Sequence, residues 1–282
     1  MNVAQLLDDA TAQIAAALGL EKREARLEAR VLASFGWDVE TAWLIAHDTD
    51  ALSDAQIAAF QSLLSQRLQG RPIAYLVGMR EFYGRAFHVS SDVLIPRPDT
   101  ELLVELALVH LPPDQPLDVL DLGTGSGCIA ITLALERPLA RVTAVDRSDK
   151  ALAIAQHNAE TLNAHVEFLT SDWFSALASR RFDLIVGNPP YIAQTDPHLA
   201  CGDVRFEPMT ALTSGYDGLD DLRHLVPVAF THLKPGGSIL LEHGYDQAEA
   251  VHALLRMNKI QPAQSWADLS GILRVSGGKL SE

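Results

Sequence analysis

The sequence is poor in cysteine, in basic side chains and in long apolar runs. Its two cysteines, Cys128 and Cys201, lie far apart and form no C-x-x-C pair, so neither a zinc site nor a disulfide framework is indicated and a reducing compartment fits. The 22 Lys and Arg against 36 Asp and Glu give a formal net charge of −14, which disfavours sequence-independent binding of a phosphate backbone. The ten histidines show no metal-ligand spacing, and we expect no metal site.

The chain also lacks any stretch that approaches the roughly 18 apolar residues of a membrane span, and its first residues have neither the basic nor the apolar region of a signal peptide. We therefore expect a cytoplasmic protein without membrane contact. We also expect the protein to be a monomer and not to bind nucleic acid directly.

Hydrophobic residues make up 48% of the 282 residues, which is enough for a sizeable core. At the start of the chain they recur at helical spacing, from Val3 to Leu18 and again from Leu27 to Phe35. A third helix opens at Ser53, where Ser53 and Gln56 match a capping box. We predict a small helical domain over residues 1–70.

The composition of the sequence changes after this domain. Residues 80–96, REFYGRAFHVSSDVLIP, are rich in aromatic and β-branched residues and broken by glycine and serine, which predicts a hairpin linker over residues 71–96. Strand-like and helix-like segments then alternate, which predicts a doubly wound α/β domain over residues 97–282. The strand-like segments are DVLDL (118–122), RVTAVD (141–146), HVEFLTSD (165–172), FDLIVGN (182–188) and SILLEHG (238–244).

A glycine-rich loop follows the first of these strands. Its sequence is Asp121-Leu-Gly-Thr-Gly-Ser-Gly127, and its glycines allow a tight turn and close approach of the backbone to a ligand. No lysine follows the last glycine, which disfavours a P-loop, and the G-x-G-x-G spacing differs from the dinucleotide fingerprint. The loop resembles motif I of class I methyltransferases, which packs against S-adenosylmethionine. A simple glycine-rich turn is the alternative.

Two further strand ends carry residues suited to an adenosine ligand. Asp146 ends the second strand about 20 residues beyond the loop, where a carboxylate can accept both ribose hydroxyls. Its alternative role is to cap the next helix. Trp173 follows the third strand and offers an aromatic face at the same rim, although a tryptophan at a strand end more often belongs to the core.

The most specific feature is Asn188-Pro-Pro-Tyr191, which follows the apolar strand FDLIVG. Two consecutive prolines fix φ and remove two N–H donors, so they leave rigid carbonyl acceptors. The Asn188 side-chain oxygen and the Pro189 carbonyl could hold the two N–H groups of a planar amide and stabilise the positive charge that develops on its nitrogen. Tyr191 could stack on the amide plane. We predict Asn188, Pro189 and Tyr191 as catalytic residues.

Taken together, these residues make the chain resemble the protein-(glutamine-N5) methyltransferases that act on release factors, along essentially its whole length. The resemblance implies a Rossmann-like class I methyltransferase fold with a seven-stranded, mostly parallel sheet and a small N-terminal helical domain. It implies S-adenosylmethionine as the cofactor and, as the substrate, the glutamine of the Gly-Gly-Gln loop in peptide chain release factors. The matching segments are QRLQGRPIAYLVG, VLIPRPDTE, DLGTGSG, AVDRS, SDW, NPPYI, DVRFEP, LLEHG and DLSGILRV.

The resemblance also assigns roles to residues. Substrate contacts fall on Asn188, Pro189, Pro190 and Tyr191, and the segment Ile95–Glu101 is expected to border the active site. From the residues themselves, the prolines of that segment stiffen the start of a helix, and a structural role for its arginine, Arg97, is as well supported as a functional one. Cofactor contacts fall on Gly123, Thr124, Gly125, Ser126, Gly127, Asp146, Trp173 and Asn188.

Three other functions remain open at this point. An adenine-N6 methyltransferase would apply the same N-P-P-Y chemistry to an exocyclic NH2 group, but the negative charge and the lack of a target-recognition region disfavour it. A methyltransferase acting on a glutamine of a ribosomal protein would have a different N-terminal domain. A binding module without activity is disfavoured by the intact glycine loop, Asp146 and Asn188.

Overall fold

The N-terminal helices follow the apolar periodicity of the sequence. In the computed structural model, which describes residues 1–281, the first helix begins with a capping box formed by Asn2 and Gln5. The predicted capping box of Ser53 and Gln56 is also present. The helices of this region are α1 (Val3–Leu18), α2 (Lys22–Trp37), α3 (Thr41–Ala46), α4 (Asp54–Leu68) and α5 (Ile73–Val77).

These helices belong to one compact unit, Met1–Met79, which also includes Pro197–Phe206 from much later in the chain. A second unit consists of Arg80–Asp196 and the chain from Glu207 onward. The limits of the units therefore lie elsewhere than the domain limits after residues 70 and 96 predicted from the sequence. The linker role of residues 71–96 stays a prediction.

The predicted hairpin is present at the start of the larger unit. Its strands are β1 (Met79–Phe82) and β2 (Arg85–His88), and the two turn residues, Tyr83 and Gly84, have φ of +51° and +71°. A two-residue turn with positive φ at both positions matches the twist of paired strands. Phe82 in β1 packs against the core of the larger unit, so the hairpin is an integral part of that unit.

The larger unit is built on the predicted seven-stranded, mostly parallel sheet. Its strands are β3 (Asp118–Leu122), β4 (Arg141–Asp146), β5 (Val166–Thr170), β6 (Phe182–Gly187), β7 (Leu233–Glu242), β8 (Gln264–Ala267) and β9 (Leu273–Lys279). The order is β5-β4-β3-β6-β7-β9-β8, with β9 antiparallel to both of its neighbours. The associated helices are α6 (Glu101–His110), α7 (Cys128–Glu136), α8 (Asp149–Leu162), α9 (Asp220–His232) and α10 (Ala248–Met257).

The strand order places a switch point between β3 and β6. From β3 the chain proceeds to β4 and β5 on one side and then returns to β6 on the other side. In the register of these two central strands Leu122 lies beside Gly187. Ligands of open α/β sheets bind in the crevice at such a point, at the carboxyl ends of the strands. The residues that follow Leu122 and Gly187 therefore meet where a ligand is expected.

Apolar side chains cover both faces of this sheet. One buried cluster includes Leu103 in α6 and Ile131 in α7, and the other includes Leu225 in α9 and Leu255 in α10. A sheet covered on both faces explains why its strands are almost continuously hydrophobic. Within residues 1–281, no helix combines the length and the apolar character needed to cross a membrane.

Candidate active site

A cleft of about 320 Å³ lies at the carboxyl ends of the central strands. Its volume is at the lower end of the roughly 300–1,000 Å³ of small-molecule pockets. The residues predicted from the sequence that line it are Gly123, Gly125, Asp146, Trp173, Asn188 and Pro190. The predicted residues that do not line it are Thr124, Ser126, Gly127, Pro189 and Tyr191.

The glycine-rich loop connects β3 to α7 through three left-handed positions. Gly123, Gly125 and Gly127 have φ of +69°, +56° and +82°, values that residues with a Cβ adopt only with strain. At Gly127 an added Cβ would also lie 2.8 Å from Cδ1 of Ile131. At Gly125 nothing lies within 4 Å of that position. The loop therefore exposes bare backbone to the cleft.

The two polar residues of the loop, Thr124 and Ser126, are buried and make contacts within the fold. The Thr124 hydroxyl donates to Oδ2 of Asp121 at 2.6 Å, and the Ser126 carbonyl accepts from Nδ2 of Asn158 at 2.8 Å. Burial raises the pKa of the Asp121 carboxyl to about 7. These contacts fix the side of the loop that faces the protein interior. Thr124 and Ser126 therefore do not line the cleft.

The Asp146 carboxylate is held at the cleft by two backbone N–H groups. Oδ2 accepts from the N–H of Gly125 and Oδ1 from the N–H of Ser148, each at 2.9 Å. Because a carboxylate has about four acceptor sites, both oxygens can accept further hydrogen bonds. Helix α8 is capped by the Ser148 side chain, which accepts from the N–H of Ala151 at 3.2 Å. The residue that caps helix α8 is therefore Ser148 and not Asp146.

Trp173 reaches the cleft from the end of β5. Its φ of +49° is unusual for a residue with a side chain, and its indole lines the cleft together with Asp172. A Cβ built on Gly123 would lie 3.2 Å from Cζ3 of this indole. The ring and the glycine loop are therefore in contact, and the ring also packs against one apolar cluster of the sheet. Trp173 contributes to both the core and the cleft.

Asn188 follows β6 and extends its side chain between the cleft and the start of α6. Its Nδ2 donates to Oγ1 of Thr100 at 3.2 Å. Within residues 1–281, neither Oδ1 of Asn188 nor the carbonyl of Pro189 accepts a hydrogen bond. Pro189 itself is buried, whereas Pro190 lines the cleft. The N-P-P segment therefore presents two acceptors that the rest of the described chain leaves unused.

Tyr191 is fixed at both its backbone and its hydroxyl. The hydroxyl donates to Oε1 of Glu242 at 3.3 Å, and the carbonyl accepts from Nε2 of Gln247 at 3.0 Å. Burial, with the Glu242 charge nearby, raises the pKa of Tyr191. A Cβ on Gly218 would lie 2.2 Å from the Tyr191 carbonyl oxygen, so this position admits only glycine. The tyrosine is held in one place and stays protonated at neutral pH.

The segment Ile95–Glu101 contacts three other parts of the structure. The N–H of Ile95 donates to Oε2 of Glu207 at 3.0 Å, and Arg97 forms an ion pair with the same fully buried carboxylate. Oε1 of Glu101 accepts from the N–H of Tyr83 in the hairpin at 2.9 Å. With the contact of Thr100 to Asn188 described above, the segment connects the hairpin, Glu207 and the N-P-P-Y motif. Arg97 has a structural partner in Glu207.

Sequence reasoning missed two stretches that line the cleft. One covers residues 91–94, directly before Ile95, and the other includes Pro208, Thr210, Ala211 and Thr213. The signal in the sequence is that Val93 and Leu94 begin the matched segment VLIPRPDTE and Pro208 ends the matched segment DVRFEP. The polar lining residues Ser91, Asp92, Thr210 and Thr213 belong to no motif that the sequence reveals.

Two family models match the chain. The model described as PrmC N-terminal domain matches residues 5–78, and the one described as Methyltransferase small domain matches residues 99–206. Together they span both the helical region and the strands that carry the glycine loop and the N-P-P-Y motif.

Several curated proteins of similar sequence have the same name. A release factor glutamine methyltransferase of Bordetella pertussis is 54% identical over 256 residues, which cover 90% of this chain and 95% of that protein. The protein of the same name from Escherichia coli (strain K12) is 46% identical over 240 residues, covering 84% and 86%. The structure of the T. thermophilus 16S rRNA N2 G1207 methyltransferase with AdoMet and guanosine gives a TM-score of 0.53 at 24% identity, covering 71% of this chain and 49% of that one. That likeness shows the shared fold, and the identity to the curated relatives over most of both chains shows that this chain belongs to the release factor glutamine methyltransferases.

Proposed function

We propose that this chain transfers the methyl group of S-adenosylmethionine to the side-chain amide nitrogen of a glutamine, the glutamine of the Gly-Gly-Gln motif in peptide chain release factors. Membership of the family supports the reaction and the class of substrate. The observation that carries the proposal is the pair of unused acceptors, Oδ1 of Asn188, which lines the cleft, and the carbonyl of the adjoining Pro189.

The residues of the cleft fit S-adenosylmethionine. Gly123 and Gly125 line the cleft with backbone, and at Gly125 no other atom lies within 4 Å of an added Cβ. The Asp146 carboxylate has acceptor capacity for two ribose hydroxyls, and the Trp173 indole offers an apolar face. S-adenosylmethionine supplies a methyl group on a positively charged sulfur. The role of the chain is to hold it and to present the amide nitrogen.

The two acceptors have the chemistry that an amide substrate requires. A primary amide NH2 has two N–H donors, and its nitrogen lone pair is delocalised into the carbonyl. If Asn188 and Pro189 accept the two N–H groups, the nitrogen is oriented before reaction and its growing positive charge is stabilised by fixed dipoles. A carboxamide and a proline carbonyl carry no charge, so they accept these hydrogens without removing a proton from the amide at the outset. The nitrogen releases one proton once it has been methylated.

We assign the other residues by where their side chains lie. Pro190 at the cleft and Tyr191 beside it complete the substrate-binding segment, with the Tyr191 ring held by Glu242 so that it can pack on the flat amide. Gly127, Thr124 and Ser126 support the cofactor loop from inside the fold. We also propose that the chain acts as a monomer in the cytoplasm without direct nucleic-acid or membrane binding, which the formal charge of −14 supports.

The test is methylation of a purified release factor with isotopically labelled S-adenosylmethionine, followed by mass spectrometry of the peptide that contains Gly-Gly-Gln. One methyl group on the glutamine side chain is expected. A release factor with asparagine in place of that glutamine is the matched control and should stay unlabelled, because its amide is one CH2 closer to the backbone. Label in RNA, or in a different protein of a whole-cell extract, would contradict the proposal.

A further inference from the structure

Thr100 lies directly behind the Asn188 side chain. It is 3% exposed and precedes α6, where its Oγ1 accepts the hydrogen bond from Nδ2 of Asn188 at 3.2 Å. Thr100 does not line the cleft, so any effect that it has on the reaction is indirect. Among the described residues, Thr100 is the one that forms a hydrogen bond with the Asn188 amide, and it bonds to the NH2 end.

Glu242 lies behind Thr100 and Tyr191. Strands β6 and β7 are parallel with Gly187 beside Leu241, so the residues that follow, Asn188 and Glu242, are neighbours at the strand ends. Glu242 is 1% exposed and accepts the Tyr191 hydroxyl through Oε1. Its Oε2 is buried and has no hydrogen-bond partner in the described part of the chain.

A carboxylate in this position determines the direction of the hydrogen bonds. Burial raises the pKa of Glu242 to about 7, whereas the Thr100 and Tyr191 hydroxyls lower it. Above that pH the carboxyl is ionised, and an ionised carboxylate only accepts. The single hydroxyl hydrogen of Thr100 is then directed to Glu242, and only lone pairs remain for Asn188. A lone pair selects the NH2 end of the Asn188 amide, which turns Oδ1 to the other side.

We infer that Thr100 and Glu242 are positioning residues, which select the end of the Asn188 amide that faces the substrate. This inference rests on the proposed function, because the oxygen end matters only if the substrate presents N–H groups. A reversed Asn188 would present its own NH2 to the NH2 of the substrate. Two donors cannot bond to each other, so the amide nitrogen would lose one of its two holding contacts. The same carboxylate holds the Tyr191 hydroxyl, so one buried group organises both polar side chains of the motif.

Two substitutions at Thr100 test the inference. Thr100→Val keeps the shape but removes the hydroxyl, and Thr100→Ser keeps the hydroxyl. We expect the rate of methyl transfer in a single turnover with release factor to fall by roughly 10- to 100-fold in Thr100→Val, as for other displaced reacting groups. Thr100→Ser should stay within about threefold of the unsubstituted chain, since it retains the donor and the acceptor. The dissociation constant for S-adenosylmethionine, measured by calorimetry, should change less than about twofold in both variants, because neither touches the cleft.

A third variant, Glu242→Gln, tests the inference without changing Thr100. The glutamine NH2 can donate to Thr100, whose hydroxyl is then free to donate to Oδ1 of Asn188 and reverse the amide. At pH 8, where Glu242 is ionised, a lower single-turnover rate with unchanged cofactor affinity is expected. Wild-type rates in folded Thr100→Val or in folded Glu242→Gln would overturn the inference. No methylation of release factor by the unsubstituted chain would instead overturn the proposed function, so the two failures are distinct.

Discussion

The backbone N–H of Gly125 donates to the Asp146 carboxylate at 2.9 Å, and this bond joins the glycine-rich loop to the end of β4. The loop and the carboxylate are the two parts of the cleft that we assign to the cofactor, and this hydrogen bond connects them directly. Under the proposed function, Asp146 would therefore act on the cofactor in two ways, through its own oxygens and through the loop.

Asp146→Ala should weaken the binding of S-adenosylmethionine and leave turnover at saturating cofactor nearly unchanged. Hydrogen bonds to a charged group contribute about 1.5–3 kcal/mol, so the dissociation constant should rise roughly 10- to 100-fold. Calorimetric titration and the KM for the cofactor measure this. Asp146→Asn keeps one acceptor oxygen and should give a smaller increase. An unchanged dissociation constant in Asp146→Ala would exclude a cofactor contact.

Asn188→Ala should have the opposite profile. It removes one of the two acceptors for the substrate amide, and by analogy with the loss of one transition-state hydrogen bond kcat should fall roughly 100- to 1,000-fold. Cofactor affinity should change only severalfold. Gln194→Ala removes an exposed amide from the same loop and serves as the control, with kcat expected to be unaltered. Near-normal single-turnover methylation by Asn188→Ala would contradict the assigned role.

Gly127→Ala should destabilise the fold by more than strain alone. The φ of +82° costs about 1–2 kcal/mol for a residue with a Cβ, and the contact at 2.8 Å with Ile131 adds an overpacking cost, for roughly 2–5 kcal/mol in all. Gly84→Ala is the matched control, because Gly84 has φ of +71° but open space around a Cβ. Urea unfolding of both variants should show the larger loss for Gly127→Ala. Equal losses would show that α7 can move away.

The parts of the site that were predicted from the sequence are those encoded in contiguous residues. The glycine loop needs three positive φ values within five residues, and only glycine adopts them without strain. The N-P-P-Y motif owes its rigidity to adjacent prolines, and Asp146 ends a segment whose valines, threonine and alanine indicate a strand. The seven-stranded sheet was likewise predicted, through the resemblance to a family.

The network behind Asn188 could not be predicted in the same way. Thr100 is 88 residues from Asn188, and Glu242 is 51 residues from Tyr191. Their proximity depends on the strand order, which places β7 beside β6, and on the position of α6. The short helix α5, whose N-cap residue is Pro72, was also not predicted. Proline is compatible with helix starts, and the five residues of α5 are too few to show a period.

The buried Arg67 should matter far more to the helical unit than a comparable surface arginine. Its guanidinium forms two hydrogen bonds of 2.8 Å with Glu28 and one of 2.8 Å with Asp203. Arg67→Ala leaves the Glu28 carboxylate without its partner in a largely buried place, which costs about 3–5 kcal/mol. Arg26→Ala breaks the exposed pair with Asp8 and should cost at most about 1 kcal/mol.

Hydrogen exchange gives a local readout for Arg67. Asp203 belongs to Pro197–Phe206, the segment that joins the N-terminal helices in one unit. Loss of the Arg67 contact should increase amide exchange in this segment in Arg67→Ala but not in Arg26→Ala. Unaltered exchange in folded Arg67→Ala would show that Arg205, whose Nη2 donates to the Gln69 carbonyl at 2.9 Å, is sufficient to hold the segment.

The buried Glu242 also predicts a pH dependence of stability. Other groups set its surroundings: Asp99 raises its pKa, whereas Thr100, Tyr191 and Arg274 lower it. Cys128 and His243 are buried nearby, the pKa of the thiol being raised and that of the imidazole lowered by burial. Because a neutral buried histidine gives a slope of the opposite sign, the total pH dependence of the chain does not isolate Glu242. The difference between the unsubstituted chain and Glu242→Gln does.

Burial raises the pKa of Glu242 from an ordinary 4.5 to about 7. Between these values the folded chain holds a proton that the unfolded chain has released, so the contribution of Glu242 to stability falls as pH rises. The free energy of unfolding of the unsubstituted chain, measured relative to Glu242→Gln by urea titration, should therefore decrease from pH 4.5 to 7 by on the order of 3 kcal/mol. Above pH 7 the difference should become constant, because the carboxyl is ionised in both states. A difference that is the same at pH 5 and pH 7 would mean that Glu242 is already ionised at pH 5, stabilised by Arg274 and the two hydroxyls despite its burial.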